Sequence, residues 1–308
     1  MPVYNQERYL GAAVGSILGQ TFRDFELLIV DDGSTDGTKR LLGELSDPRI
    51  RVIHAPHRGV RSAFELGIRE ALGQWVARMD SDDLSHPERL GREVTFLQAH
   101  PECVFVMTLH GVITPNDRYL APRSTFDWSY LEPGDLTRNA FLTADASAMF
   151  DRETALHVGL LDPDFEHERP LFYRLLRKGR GGVLGEPLYF ARFLLGSHSK
   201  SDRIRQLSTA LDIKKRYDPN GHAQLGPKAM IRSREQEDVR IARHAVDYYL
   251  LAGDVAAARA AAWRAWRALP AQRGAVKLML KALLRRRALS AGEALPADGA
   301  WQPAARPW

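Results

Sequence analysis

Two groups of side chains in this sequence have the type and spacing to do chemistry. The first is Asp80-Ser81-Asp82, two carboxylates with one residue between them. On a loop they can share a divalent cation, and hard oxygen ligands suit magnesium or manganese. Such a cation bridges diphosphate oxygens and neutralises charge on a departing group. The alternative is a solvated acidic turn that caps the helix starting near Pro87. The second group is Asp31-Asp32-Gly33-Ser34. An aspartate at a strand end can accept a hydrogen bond from the imide nitrogen of uracil, and the glycine allows close backbone approach. The alternative is an ordinary turn in which Ser34, Thr35 or Asp36 caps the next helix.

The elements that must hold these groups alternate between helix and strand periods. Leu10, Val14, Ile17 and Leu18 mark one helix face within Arg8 to Leu18. Phe25 to Val30 is a short apolar run ending in the first acidic cluster. Thr38 to Leu45 has a helical pattern, Ile50 to Ile53 a strand pattern, and Val60 to Leu72 a helical pattern. Gln74 to Met79 leads as a strand into the second cluster, and Pro87 opens a further helix. Val183 to Phe190 is expected to be a strand pair, or a strand with a turn. Alternation of this kind predicts a largely parallel sheet covered by helices, an α/β fold. Ligands bind such sheets outside the carboxyl ends of the strands, where both acidic clusters fall. The opening Met1-Pro2-Val3-Tyr4-Asn5 has the character of the exit loop of a strand whose body is missing, so the first strand is expected to be truncated. Domains are expected at 1–202 and at 203–290, the latter helical, with a disordered tail over 291–308.

Composition narrows the class. The 308 residues are 44% hydrophobic and 26% charged, ordinary for a globular chain with a sizeable core. The single cysteine, Cys103, rules out an internal disulfide and a cysteine-based zinc site. No apolar stretch reaches membrane-spanning length and no signal-peptide pattern opens the chain. A cytoplasmic location follows as the expectation. The net charge of +5 has a local source in the C-terminal helices. There Arg259, Arg264, Arg267, Arg273, Lys277, Lys281 and Arg285 to Arg287 interleave with Trp263 and Trp266. Such a face either lies on an anionic membrane surface or forms the solvated rim of a packed helical domain. Nucleic acid is not expected, since no recognised module accompanies the charge.

The order of these motifs resembles family 2 of the glycosyltransferases, inverting enzymes with the GT-A fold. The resemblance rests on Pro2-Val3-Tyr4-Asn5, the run from Ser16 to Asp36, and Asp80-Ser81-Asp82-Asp83 followed by Pro87-Glu88-Arg89-Leu90. It is strong over about residues 2 to 100 and weaker to about 200. It implies a nucleotide-sugar donor, by family habit a UDP-sugar, with a saccharide or lipid-linked acceptor and Mn2+ or Mg2+ as cofactor. Surface polysaccharide assembly in a bacterium is the implied setting. Pro2 and Tyr4 would line the base and ribose pocket, Asp32 would bind the uracil edge, Asp80 would approach the ribose and Asp82 the metal. Gly59 and Arg61 would border the diphosphate. Aligning on Arg174-Leu175-Leu176 puts Glu168 at the position of the catalytic base, with Glu166 the fallback. The sequence departs from the family pattern at Phe64-Glu65, at Asp145 and His167, and at Leu194, near which His198 could substitute. An inactive, nucleotide-binding relative is the alternative that these departures raise.

Overall fold

The computed structural model describes residues 1–113, 119–120, 127–132, 136, 144–165, 168–192, 194, 212–213, 215–218, 246, 249–250, 255–268, 276, 279–280 and 283. The expected tail, Glu166, His167, His198 and the basic residues beyond Arg267 lie outside the described residues. Two compact units are present. The first holds Met1–His110 and Arg123–Ala191, the second Gly111–Pro122 and Arg192–Leu295.

The first unit is α/β. Strands β1 (Pro2–Val3), β2 (Leu27–Asp31) and β3 (Ile50–His54) form a parallel sheet in that order. Pro2 and Val3, expected in an exit loop, are strand residues in register with Val30 and Asp31. Helix α1 (Leu10–Leu18) buries Leu10, Ala13, Val14 and Ile17, the i, i+3, i+4, i+7 stripe of a core-facing helix. Helices α2 (Thr38–Glu44) and α3 (Val60–Glu70) follow β2 and β3. The second sheet runs β4 (Trp75–Ala77), β9 (Met149–Asp151), β6 (Cys103–Ile113), β10 (Arg180–Arg192), β5 (Leu84–Ser85). Here β4 pairs with β9, β9 with β6, and β10 with β5 antiparallel, and β8 (Trp128–Leu131) adds antiparallel to β10. The printed pairings of the second sheet are antiparallel where those of the first are parallel, and the fold is mixed α/β.

Strand β10 corrects the expectation of a strand pair, because Pro187 does not turn the chain. It falls between the stretch paired to β8, Gly181 to Leu184, and the stretch paired to β5, Tyr189 and Phe190. On that side no ladder partner requires the missing N–H. Gly181 and Gly182 lie where a side chain would collide with the rings of Phe105 and Phe96. A cavity of about 500 Å³ lies among Leu27, Leu28, Ile68, Trp75, Ala77 and Val94, all apolar. None of the proposed site carboxylates lines it.

Helix α4 (Arg89–Ala99) carries the largest fully buried side chain, Arg89. Its guanidinium donates to Glu93 Oε1 at 3.0 Å, the Arg78 carbonyl at 2.8 Å and the Ala146 carbonyl at 3.4 Å. It also sits 5.0 Å from the Tyr189 ring centre. Burial pushes the Glu93 carboxyl up to about 7, and the attraction of Arg89 only partly offsets this. Glu93 Oε2 is enclosed with no partner among the described residues, so a proton there relieves a desolvated charge. A carboxyl raised on folding favours the folded state below its unfolded pKa, near 4.5, and loses that contribution as pH rises through about 7. Melting temperature is therefore expected to fall between pH 5 and 8, with a slope that Glu93→Gln flattens. Parallel melting curves across that range test it.

The second unit contains β7 (Tyr119–Leu120), paired with the end of β6. Its helix α7 (Val255–Ala268) buries Ala258, Ala261 and Ala262. Arg259, Trp263, Arg264 and Arg267 are exposed on this helix, and Trp263 stacks on Trp266 at 5.0 Å. Among the described residues no helix is long and apolar enough to cross a membrane.

Candidate active site

The first acidic pair closes β2. Asp31 is fully buried. It accepts the Ser34 N–H at 3.0 Å and lies 3.0 Å from His54 Nδ1. Burial pushes its pKa up, but the hydrogen bonds from Ser34 and His54 outweigh that and hold it below the usual range. Asp32 is 2% exposed and turns the other way. Its Oδ1 accepts the Arg58 N–H at 2.8 Å and its Oδ2 the Gly59 N–H at 2.9 Å, with His57 Nδ1 2.9 Å from Oδ2. A carboxylate has about four acceptor directions, so one is left for an incoming imide. Gly59 caps α3 at φ 90°, a conformation that favours glycine. Its role seen here is to aim that N–H at Asp32. Tyr4, 40% exposed, stacks on the His57 ring at 4.1 Å with a 20° tilt. Asn5 supports the turn: its Oδ1 accepts the Thr35 N–H at 2.8 Å and its own N–H donates to Ser34 Oγ at 3.0 Å.

The second acidic cluster follows β4. Asp80 is met by Arg78, with contacts of 3.1 Å and 3.3 Å to its two oxygens. The Asp80 N–H donates to the Tyr189 hydroxyl at 3.2 Å, and that hydroxyl donates to Asp83 at 2.5 Å. Burial first, and then Asp83 and Asp80, push the Tyr189 phenol well above its ordinary value, so it stays a donor. Asp82 is half-buried beside this knot. The segment beyond is tied to the end of α1 by Gln20, fully buried, which donates to Ser85 Oγ and the His86 carbonyl and accepts the Leu90 N–H.

Glu168 is the N-cap of α6 (Arg169–Leu175). Its side chain is 11% exposed, and its Oε1 accepts from Arg78 at 3.1 Å. Pro170 stands in the first turn of this helix, where an N–H has no intrahelical acceptor to lose. Asp145, a departure from the family pattern, is matched by Arg169 at 2.7 Å. Glu65, another, pairs with Arg69 one turn along α3.

Helix α3 joins the two acidic clusters. Its cap touches Asp32, its first turn carries Arg61, and Phe64 lies under the Arg78 guanidinium at 5.7 Å. Five residues of helix, roughly 7.5 Å, thus separate the backbone that meets Asp32 from the ring beneath Arg78, which in turn meets Asp80 and Glu168. Arg61 donates to the Asp162 carbonyl at 2.8 Å, so in this structure it braces a loop. Pro2 lies one strand over, in register with Val30.

Sequence reasoning gave no role to Arg78, His57 or Gln20. One signal was present for Arg78: a cation at the end of a strand expected to be buried has to find an acid. Nothing comparable marked His57, whose two contacts form only once the 57–59 loop folds back on Asp32.

Comparison with known proteins bears on the family and the fold. The sequence model described as "Glycosyl transferase family 2" matches residues 1–159. A Rickettsia felis glycosyltransferase of uncharacterised specificity is 36% identical over 121 residues, 39% of this chain and 20% of that protein. One from Nostoc is 38% identical over 125 residues, 40% of this chain and 38% of the relative. The chain thus covers well under half of each of these two curated relatives. A Bacillus subtilis protein provisionally named teichuronic acid biosynthesis glycosyltransferase TuaG is 30% identical over 187 residues, 58% of this chain and 71% of that protein. Among solved structures, residues 1–349 of TarS from S. aureus superpose with a TM-score of 0.57 at 15% identity, covering 91% of this chain and 87% of that one. The same TarS segment in complex with UDP-GlcNAc gives 0.59 at 17%. At such identity the likeness speaks for the fold, which is the GT-A class expected from the sequence. With the family model matched over more than half its length, this chain belongs to glycosyl transferase family 2.

Proposed function

We propose that the protein transfers a sugar from a UDP-sugar to a saccharide or lipid-linked acceptor, with inversion at the anomeric carbon. The observation that carries this reading is the single guanidinium of Arg78, which contacts both Asp80 and Glu168. It sets a donor-side acid beside a candidate base. Asp32 reads the pyrimidine imide through its remaining acceptor direction, and the Tyr4 ring stacks on the base. Asp80 takes the ribose. The acceptor hydroxyl oxygen attacks the anomeric carbon, its proton passes to Glu168, and the bond from that carbon to the diphosphate oxygen breaks. UDP leaves with the bonding electrons. The curated relatives named as glycosyltransferases support the reaction class. The TarS structures with UDP and UDP-GlcNAc support the donor class.

The donor set tests whether a divalent cation fits. Among the described residues no group of three or more His, Cys, Asp or Glu is placed to hold one. Asp80 is committed to Arg78, and the family resemblance assigns the metal to Asp82. One or two carboxylates completed by substrate phosphates are the usual shell for Mg2+ and a workable one for Mn2+, so Asp82 would hold the ion together with the diphosphate. Bound there, such an ion supplies charge neutralisation to the leaving diphosphate.

A thermal-shift screen of UDP, GDP and dTDP with and without Mn2+ tests the binding half, since a ligand of the folded state raises the melting temperature. UDP with Mn2+ is expected to give the largest rise. UDP release from candidate UDP-sugars tests the rest, and Asp82→Ala is expected to lower it about 100-fold. Shifts by no nucleotide would overturn the reading. Nucleotide binding without turnover by the wild type would favour a non-catalytic relative.

A further inference from the structure

We infer that Arg78 is a positioning residue for the transfer step: it sets Glu168 against the donor-side acid Asp80. This rests on the reading of Glu168 as base. The Arg78 side chain is 8% exposed, and its Nη2 lies 3.1 Å from both Asp80 Oδ1 and Glu168 Oε1. Its backbone is pinned on both sides: its N–H donates to the Ala148 carbonyl at 2.8 Å, and its carbonyl accepts from Arg89 at 2.8 Å. The guanidinium rests over Phe64. A planar fork of donors fixed at its root can hold two carboxylates at a set separation, which the single ammonium of lysine does not.

Glu168 needs such a hold. It caps a helix of only seven residues and makes no capping bond with its side chain. The pair Arg169–Asp145 anchors the backbone next to it, which leaves the carboxylate itself to be aimed by Arg78. Aim matters, because a shift of about 1 Å at a reacting group costs roughly 10²-fold in rate. Burial works against the Arg78 charge, but Asp80 and Glu168, then Tyr189 and Asp145, outweigh it and keep it protonated.

A double-mutant cycle on kcat separates this role from a structural one. In the wild-type background Arg78→Met is expected to lower kcat about 100-fold. In the Glu168→Gln background the same change is expected to cost less than about three-fold, because no base remains to be aimed. Equal losses in both backgrounds would overturn the inference and leave Arg78 as a structural ion. Should Arg78→Met fail to fold, Arg78→Lys carries the same cycle, with a loss of about ten-fold expected to vanish beside Glu168→Gln. A wild type that turns over no nucleotide sugar removes the base reading and this inference together. Turnover with additive losses removes only the latter.

Discussion

Glu168→Gln is expected to lower the transfer kcat by roughly 10³-fold while preserving the rise in melting temperature on adding UDP and Mn2+. Glutamine keeps the shape and an oxygen for Arg78 but takes up no proton. Because Glu168 touches neither the Asp32 turn nor Asp82 in the contacts described, the loss is expected in kcat, with the donor KM moving little. Steady-state kinetics of UDP release at saturating acceptor, beside the thermal shift, make the check. A variant within ten-fold of wild type would move the base elsewhere. Glu166→Gln then becomes the informative comparison.

The second large effect concerns stability. Arg89→Ala is expected to cost about 3–5 kcal/mol, since it leaves the buried Glu93 carboxyl without its donor and opens a large hole in the core. For a unit of this size that corresponds to a fall in melting temperature of roughly 6–20 °C. Truncation also removes the donors that reach the Arg78 and Ala146 carbonyls. For that reason Arg89→Met with Glu93→Leu, which removes the ion pair cleanly, is expected to recover only part of the loss. Urea unfolding of the three proteins measures it. A cost below about 1 kcal/mol for Arg89→Ala would show the cluster to be far better hydrated than its burial implies.

The elements were legible wherever periodicity was strong. The stripe of α1, the apolar run of β2 and the acidic tips after β2 and β4 could all be placed from residue spacing, because those signals are local. The second sheet was not legible. Its pairings join residues as far apart as Leu84 and Phe190, and nothing in either strand names its partner. Pro187 misled for a related reason: proline reads as a turn unless the ladder around it is known. Within the site, the acids were visible and their partners were not. Arg78 meets Glu168 across 90 positions, and Asp145, which looked like the loss of a family residue, gains its meaning from Arg169, 24 positions on. Residue type announces that a charge needs a counter-charge, but only the fold says which.

The fastening of two carbonyls to one guanidinium also bears on how substrates enter. Arg89 grips the chain just ahead of Asp80 and the turn just after Asp145, so those stretches cannot breathe separately. Tyr4 and His57 are held differently: their rings lean on each other, and His57 is anchored through Nδ1 to Asp32, so this edge moves with the Asp32 turn. On the proposed reading, the floor beneath a donor is braced by Arg89 and the edge beside it by Asp32.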